Sequence, residues 1–553
     1  MSLSRAGHVR TSVETNTQNP TRSFAWLLER AVVGCLFLFA VAAPHSIAAT
    51  QTAWLLALAF CVARYFVRPR PAVYRTPLDY ALLGFFILTF LSALLSYDPD
   101  VSIGKMRAAS LFTIVYAAAE GVRSTRVLRS LVLVLVVSCM VNVLYTFGAY
   151  AAGRGVKVES LTAESPLRAA GVREGDTLLA ADGVPLGAPE ELVRALSPES
   201  TATGGASGGV RVQLYRVEAL PVVGIRRDSL LADETAEAEA RLGINSWSRG
   251  RDQRATGFYG HYTTYAESLQ LVGSIALGLL VALRRKRGWP GALLALAFAG
   301  LCGALLLTVT RASWLGLLLS AFVIVLVGAR RRTLLVAAGV AVPLAVAGLL
   351  VLQQKRQVGF IDTKEGSTAW RLMVYRESLD LLTREPRHML VGVGMDSIKR
   401  HYREWGLFDK GRQNWSHLHS TPLQIAVERG LPALLVWLAL VFLYARLLWR
   451  QARRGDIRRE GGQEGGQGTV RAGEHWVERG LALGAFGGLV GFLASGMVHY
   501  NLGDSEVVMI FYFLMGLALA AERLGRTGEG AQEGRGPHVQ SFETPDLRRG
   551  ERR

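Results

Sequence analysis

Apolar residues occur in long blocks, separated by short polar segments, along most of the 553-residue chain. Blocks of roughly 18–22 residues are long enough to cross a bilayer as α-helices. The pattern predicts a polytopic α-helical membrane protein with about twelve transmembrane helices. The predicted spans are 27–47, 51–67, 78–96, 102–120, 129–151, 264–283, 289–308, 312–329, 333–352, 431–449, 478–498 and 505–522.

Basic residues are concentrated after every even-numbered span. Examples are Arg68 after span two, Arg123 after span four, Lys286 after span six, Arg331 after span eight and Arg450 after span ten. Cytoplasmic loops carry such an excess of arginine and lysine. Both termini are therefore predicted to be cytoplasmic, and the large segments 152–262 and 353–430 are predicted to lie on the opposite side.

The composition is consistent with this topology. Half of the residues are hydrophobic, and the formal net charge is +18. Because the basic residues follow the loop pattern, the charge reflects membrane orientation, and we expect no nucleic-acid partner. All four cysteines fall inside apolar blocks, where they are expected to act as small buried hydrophobic residues.

Residues 153–228 interrupt the membrane pattern with short alternating segments, typical of β-strands, and with one short helix at 189–196. This segment resembles a bacterial PDZ domain. The resemblance rests on Ser165-Pro166, Ala169-Ala170-Gly171, Gly175-Asp176 and the hairpin turn Asp182-Gly183.

PDZ domains bind extended peptides by strand addition. The resemblance implies a loop for the peptide carboxylate near Arg154, Gly155 and Val156. A peptide or protein partner is therefore expected, against the alternative that the domain is a spacer that binds nothing.

These patterns divide the chain into eight predicted segments. They are a cytoplasmic tail (1–26), helices one to five (27–152), a small mixed α/β PDZ-like domain (153–228), a linker (229–263), helices six to nine (264–352), a large outer loop (353–430), helices ten to twelve (431–522) and a disordered cytoplasmic tail (523–553).

Three basic sites are predicted to face the outer side: Arg311 at the mouth of span eight, Arg371 in the large loop, and His417 with His419 just before span ten. Each has an ordinary alternative. Arg311 can snorkel to the membrane interface, and Arg371 can be a solvated helix charge, like its neighbour Arg376. Two histidines without nearby cysteines or a carboxylate set are too few for a metal site.

The two histidines precede a predicted helix start. Thr421 is the expected N-cap, Pro422 the first helical residue and Gln424 the capping-box residue, with Glu428 one turn later on the same face. A helix N-terminus favours an anion and disfavours a protonated imidazole. The pattern predicts an anion site with neutral histidines beside it.

This set of residues resembles the O-antigen ligase and polymerase superfamily of bacterial envelope glycan enzymes. The matching residues, in chain order, are Arg254 with 257–261 ending at His261, Thr310-Arg311, Arg371, 391–394, His417-Leu418-His419-Ser420, Leu423-Gln424, Glu428 and Gly430. Two positions depart from the family pattern: Ser420 stands where asparagine is usual, and Tyr375 where tryptophan is common.

The resemblance implies a GT-C-like ligase architecture in the bacterial inner membrane, with the PDZ-like domain and the large loop in the periplasm. It also implies metal-independent transfer of a glycan from undecaprenyl pyrophosphate to lipid A–core or another acceptor, without a cofactor. Arg311 and Arg371 would neutralise the pyrophosphate and His419 would be the general base. His417, Gln424, Glu428, Arg254 and His261 would bind substrate.

Other functions remain open at this point. A polymerase would join the glycan to another lipid-linked repeat unit, and a protein O-oligosaccharyltransferase would attach it to a polypeptide. A non-catalytic membrane scaffold that presents the PDZ-like domain is the alternative outside enzymes.

Overall fold

The computed structural model describes residues 20–197, 209–216, 220–231, 235–283, 286, 288–329, 366–460 and 475–533. Its helices, in chain order, are α1 (Pro20–Ala42), α2 (Ile47–Phe66), α3 (Asp79–Leu94), α4 (Pro99–Gly104), α5 (Met106–Ala109), α6 (Thr113–Gly121), α7 (Thr125–Ala152), α8 (Pro166–Ala169), α9 (Pro189–Leu196), α10 (Ala238–Leu242), α11 (Tyr262–Ala282), α12 (Trp289–Leu307), α13 (Arg311–Gly328), α14 (Gly366–Arg384), α15 (Pro386–Val391), α16 (Ile398–His401), α17 (Leu407–Lys410), α18 (Thr421–Glu460), α19 (Trp476–Gly496) and α20 (Ser505–Glu533). Short 3₁₀ turns cover Ser110–Phe112, Arg227–Ser229, Gly257–Tyr259 and Asn501–Gly503.

Among the described residues, nine helices are long and apolar enough to cross a membrane: α1, α2, α7, α11, α12, α13, α18, α19 and α20. A mostly helical, multi-pass membrane protein follows from their length and composition. Three of them form the centre of the bundle, since 89 %, 72 % and 78 % of the positions in the apolar windows of α11, α19 and α20 are buried, against 28–50 % in the other six.

The two most central helices approach each other through glycines. A Cβ added at Gly278 would lie 2.4 Å from the carbonyl oxygen of Gly480, and one at Gly484 would lie 2.6 Å from Ile275 Cα. Small residues allow such close backbone contact between membrane helices. The contacts make α11 and α19 antiparallel, so that Tyr262 and Gly496 lie at the same end, which we call the upper end of the bundle.

Nine of the twelve predicted spans correspond to these helices. The third is the shorter apolar helix α3, and the ninth (333–352) lies outside the described residues. The fourth prediction (102–120) is wrong as a continuous span, because the chain there is broken into α4, α5, a 3₁₀ turn and α6. Lys105 and Arg107 interrupt the apolar run at the break.

Three helices extend beyond the predicted boundaries of the first, tenth and twelfth spans. Helix α1 begins at Pro20, α18 continues to Glu460 and α20 continues to Glu533. Arginine, glutamate and glutamine are good helix formers, so a helix can continue through polar sequence where the apolar pattern stops. The tail was expected to be disordered from residue 523, but its first part, to Glu533, continues helix α20.

A separate small α/β domain follows α7. Its strands are β1 (Val156–Leu161), β2 (Thr177–Ala181), β3 (Val184–Pro185), β4 (Gly209–Tyr215), β5 (Val222–Arg226) and β6 (Ile244–Arg249). They form a sheet of order β5-β4-β2-β1-β6, with β3 paired to β2, over a core that includes residues of α9 and α10.

The sheet corrects the predicted boundary at 228. Strand β6 pairs antiparallel with β1, from Val156 opposite Arg249 to Leu161 opposite Ile244, although 229–263 was expected to be a linker. The pairing joins segments far apart in sequence, so no local pattern shows it. The small domain therefore extends to about Gly250, whose carbonyl accepts a hydrogen bond from the Arg154 amide at 2.8 Å.

Strand β1 is in the middle of the sheet, which bears on the expected peptide site. Val156 is paired with Leu178 on one side and with Arg249 on the other. A Cβ at Gly155 would lie 2.5 Å from the Leu178 carbonyl oxygen. Val156, in the expected carboxylate loop, is thus already paired on both sides, and in the described sheet β5, β6 and the short β3 each pair with one other strand only.

Candidate functional site

An open cavity of about 590 Å³ lies at the upper end of the bundle. Its wall contains charged residues and histidines from three parts of the chain. These are the interrupted segment between α4 and α6, the large loop, and the ends of α11, α18 and α20. The charged and histidine residues of the wall are Lys105, Arg107, His261, Asp396, Lys399, His417, Glu428, Arg429, His499, Asp504 and Glu506.

The segment 391–394 contains glycines because its backbone passes closely between Tyr97 and the Val427–Glu428 backbone of α18. Val393 donates its amide to the Val427 carbonyl at 2.9 Å and accepts from the Tyr97 amide at 3.2 Å. Gly392 has φ +74°, and a Cβ there would lie 2.3 Å from the Glu428 carbonyl carbon. Only glycine fits this close approach without displacing the backbone.

Replacing Gly392 by alanine is therefore expected to move the start of α18 and to disrupt the cavity. We expect a lower thermal midpoint in detergent, because both a positive φ and a backbone contact are violated. The matched control is Gly406→Ala, where φ is +68° but no atom lies within 4 Å of the new Cβ. Equal effects of the two substitutions would contradict the close-approach explanation.

Helix α18 begins one residue earlier than the capping pattern suggests. Its first residue is Thr421, which makes Ser420 the N-cap, and the Gln424 amide donates to the Ser420 carbonyl at 2.9 Å. The Thr421 hydroxyl donates to Asn501 Oδ1 at 2.8 Å, and the Gln424 side chain accepts from the Leu418 amide at 2.7 Å. The predicted helix start is thus displaced by one position. Gln424 stabilises the loop of residues 417–420, which we call the histidine loop.

The helix is kinked two residues after the buried Glu428. Gly430 has φ +81°, and a Cβ there would lie 2.4 Å from the Leu390 carbonyl oxygen. Glu428 Oε1 accepts from the Asp396 amide at 3.0 Å. These contacts hold the end of the large loop against α18 and place Glu428 in the cavity wall.

Asp396 connects two lysines of the wall. Its carboxylate lies 2.7 Å from Lys105 Nζ and 3.0 Å from Lys399 Nζ. Burial alone raises the pKa of Asp396, but the two lysines outweigh this effect and hold it below its usual value. Lys105 and Arg107, which in the sequence only interrupt an apolar block, therefore contribute cations to the cavity.

The side chains of His417 and His419 contact each other and are surrounded mainly by other side chains rather than by solvent. Their ring centroids are 4.2 Å apart, and His419 also packs edge-on against Trp370 and Trp415 at 5.0 and 5.4 Å. His419 has φ +52°, in the left-handed region that a side chain rarely adopts. Strained backbone of this kind is concentrated at functional sites.

Burial lowers the pKa of both imidazoles. The pKa of His417 falls to about 4, with a smaller contribution from His499. The pKa of His419 falls to about 2, with smaller contributions from the neighbouring His417, Arg371 and His499. Both rings are neutral at physiological pH, as the helix-start argument predicted, although burial is the main cause. Only His417 of the pair lines the cavity.

Arg371 lies on α14 close enough to His419 for its charge to act on that ring. Tyr375, one turn later, places its hydroxyl 2.9 Å from the His419 carbonyl oxygen and 3.0 Å from that of Met497. The tyrosine that replaces the usual aromatic residue thus connects α14 to the histidine loop. Neither Arg371 nor His419 belongs to the described cavity wall.

Arg311 begins α13 at the upper end. Gly316, further along that helix, would place a Cβ 3.0 Å from the Gly491 carbonyl oxygen of α19. Because α13 and α19 run in opposite directions, Arg311 lies at the level where α19 ends, near Gly496. It is half-buried and is not part of the described cavity wall.

Arg254 and His261 lie together at the start of α11. The Arg254 guanidinium lies 4.3 Å from the centre of the Tyr262 ring, and His261 stacks on the same tyrosine at 4.9 Å. Burial lowers the pKa of His261. Of these two predicted substrate-binding residues, His261 lines the cavity.

Sequence reasoning missed a histidine–carboxylate pair in the same place. His499, after α19, faces Glu267 of α11 with its Nδ1 3.0 Å from Glu267 Oε1. A glutamate inside an apolar span signals function in a membrane protein, and that signal was present in the sequence at Glu267. Its partner is 232 positions away and has no local pattern.

No cluster of three or more histidine, cysteine or acidic residues with the arrangement of a metal site occurs in the described part of the chain. What the described geometry does provide is a cavity with both cations and imidazoles, at one end of a membrane-helix bundle, bounded by a long extramembrane loop.

Such a bundle and cavity define a multi-pass membrane protein with a polar site at one membrane face. A family model described as O-Antigen ligase matches residues 296–438. The matched segment contains Arg311, Arg371, both loop histidines and Glu428. A search of curated proteins found no match.

The match of residues 296–438 to this model supports the O-antigen ligase superfamily and confirms the resemblance found in the sequence. The family supports a glycan-processing function of the ligase or polymerase type.

Proposed function

We propose that the protein is an O-antigen ligase-like glycosyltransferase of the bacterial inner membrane. It moves a glycan from undecaprenyl pyrophosphate to lipid A–core, at the cavity of the upper end and without a metal. The observation that carries the proposal is the cavity wall, which places His417, His261 and Glu428 from the predicted site beside four cations.

The contacts within the wall suit the two substrates of such a transfer. Lys105, Lys399 and Asp396 form one cluster, and its cations suit an anionic phosphate. Asp504 and Glu506 also line the cavity, and their carboxylate oxygens can accept hydrogen bonds from sugar hydroxyls. Arg371 and Arg311 lie at the same end and add guanidinium groups for a pyrophosphate.

The proposed reaction needs a proton acceptor for the attacking hydroxyl and a neutralising group for the leaving pyrophosphate. Two imidazoles can take part. The resemblance implies His419 as the base, with His417 and Gln424 beside it. The second is His499, which also lines the cavity and contacts Glu267.

Polymerase and protein O-oligosaccharyltransferase are the related candidates, and they share the donor but not the acceptor. A gel of surface polysaccharide from a strain that lacks the protein separates them. A ligase is expected to leave free polymer and no glycan on the core. A single repeat unit on the core would identify a polymerase instead, and intact surface polysaccharide with an unmodified glycoprotein would identify a protein glycosyltransferase.

We propose further that the small domain is PDZ-like and periplasmic, and that a peptide partner binds at its edge. Two features favour the β6 edge: β6 ends the sheet next to β1, and Gly243, just before β6, adopts the left-handed conformation. Strand addition at an exposed edge is the way such domains hold a peptide. The loop for the peptide carboxylate near Arg154, Gly155 and Val156 stays a prediction.

Removing the domain separates catalysis from peptide binding. A deletion of 153–250 with a short Gly-Ser connection is expected to keep glycan transfer within about threefold in a purified assay, because no residue of the cavity wall is lost. A deletion of 153–228, which leaves β6 without β1, is expected to aggregate. Complete loss of transfer in the well-behaved longer deletion would show that the domain is part of the catalytic unit.

A further inference from the structure

The Glu267–His499 pair stands apart from the other titratable groups of the site. Glu267 is 1 % exposed on the most buried helix of the bundle, and its Oε1 lies 3.0 Å from His499 Nδ1. Burial of an ionised carboxylate is costly unless a hydrogen-bonded partner compensates. Neither residue lies in the segment that matches the O-Antigen ligase family model.

The pairing fixes the orientation of the His499 ring. A carboxylate only accepts hydrogen bonds, so Nδ1 carries the proton that points at Glu267. Nε2 is then the nitrogen with the free lone pair, and the ring lines the cavity. A histidine held by a buried carboxylate in this way is the arrangement that orients a catalytic base in other enzymes.

We infer that His499, oriented by Glu267, is the general base that takes the proton from the acceptor hydroxyl. The inference rests on the proposed transfer function and names the residue for its proton step. In that step the acceptor O–H bond breaks and the proton goes to His499 Nε2. The oxygen forms the new bond to the anomeric carbon, while the bond from that carbon to the pyrophosphate breaks and leaves its electron pair on the phosphate oxygen.

The charges around the two candidate bases differ in sign. Burial alone lowers the pKa of His499, but the charge of Glu267 and the hydrogen bond to it outweigh burial and raise it above the ordinary value. The pKa of His419 is lowered to about 2, mainly by burial, with smaller effects of His417, Arg371 and His499. A base is most effective when its pKa lies near the working pH, which favours His499.

Several other charged or titratable groups face His499 and set the field that it experiences. They are Asp504 before α20, His417 and His419 before α18, Arg371 on α14 and His261 before α11. The His417 and His499 ring centroids are 5.7 Å apart, so the proposed base adjoins the histidine loop within the same site.

The first part of the test uses the full-length protein in nanodiscs, a lipid pyrophosphate-linked glycan as donor and lipid A–core as acceptor. His499→Asn keeps an amide donor near the Nδ1 position for Glu267 but removes Nε2. We expect kcat to fall about 100-fold or more, with the donor KM within about threefold of wild type. The matched control is His401→Asn, in the large loop outside the cavity wall, which is expected to behave as wild type.

The second part is the pH profile of kcat/KM between pH 5 and 9. His499 acts as a base when neutral, so activity is expected to fall as the pH drops through its raised pKa. Glu267→Gln removes the charge that raises this pKa, and the inflection is expected to move to lower pH with a lower plateau. A profile that is flat down to pH 5 in the wild type, or an inflection that Glu267→Gln leaves in place, would overturn the inference.

The outcomes distinguish the inference from the function on which it rests. A well-inserted wild type that transfers no glycan contradicts the proposed function. A wild type that transfers glycan while His499→Asn turns over equally fast overturns only the role of His499. If His499→Asn fails to insert, the pH profiles of the wild type and of Glu267→Gln decide.

Discussion

Arg371→Ala is expected to reduce glycan transfer by about 100–1,000-fold while the protein still inserts. Preorganised positive charge at a developing phosphate anion typically contributes this much to a rate. Arg371 lies on α14 beside the histidine loop, where its charge already acts on His419. The measurement is product formation from a lipid pyrophosphate-linked donor by purified protein, with insertion checked by size-exclusion chromatography.

The same helix supplies the control for this prediction. Arg376 lies five residues later on α14 and is exposed, and Arg376→Ala is expected to keep transfer within about twofold. Arg371→Lys keeps the charge but loses the planar pair of donors, so an intermediate rate is expected. Equal rates for Arg371→Ala and Arg376→Ala would remove Arg371 from the proposed pyrophosphate site.

His419→Ala is expected to have the second of the two largest effects, a loss of about 100-fold or more in transfer. In the free protein the pKa of His419 is lowered to about 2, so the ring is neutral. A bound pyrophosphate is a nearby negative charge that would raise this pKa and strengthen hydrogen bonds from the imidazole. Alanine removes these interactions and leaves a void beside Trp370 and Trp415.

A second substitution at the same position tells the two possible roles of His419 apart. Glutamine retains a neutral amide near the Nε2 position, so His419→Gln is expected to keep about a tenth of the activity if the ring binds the donor. A glutamine variant as inactive as the alanine variant would favour the general base that the resemblance implies. Wild-type activity in His419→Ala would exclude both roles.

Much of the candidate site follows from the sequence because its parts are local. The 391–394 glycines, the histidine pair and the helix start at 421 lie within one continuous segment, and their order led to the superfamily. The structure places His417, Glu428 and His261 in one cavity wall, as expected for a shared site. Arg371 and His419 are not part of that wall, although the His419 ring adjoins His417, and Arg311 lies at the same end of the bundle.

What the sequence by itself determined is the local and periodic part of this protein. The length of the apolar blocks shows the membrane helices, and the alternation of basic loops predicts their direction, because both depend on the bilayer rather than on neighbouring segments. The small domain was recognisable as strands for the same reason, since alternation is a property of each segment alone.

Only the tertiary structure decided which distant segments meet. It joined β6 to β1, broke the predicted fourth span at Lys105, and paired His499 with Glu267 across 232 positions. A pattern of hydrophobicity gives the face that a residue occupies but not its partner on another element. The packing of the central helices α11, α19 and α20 brings the buried Glu267 carboxylate to the His499 imidazole. The proposed proton transfer depends on that contact.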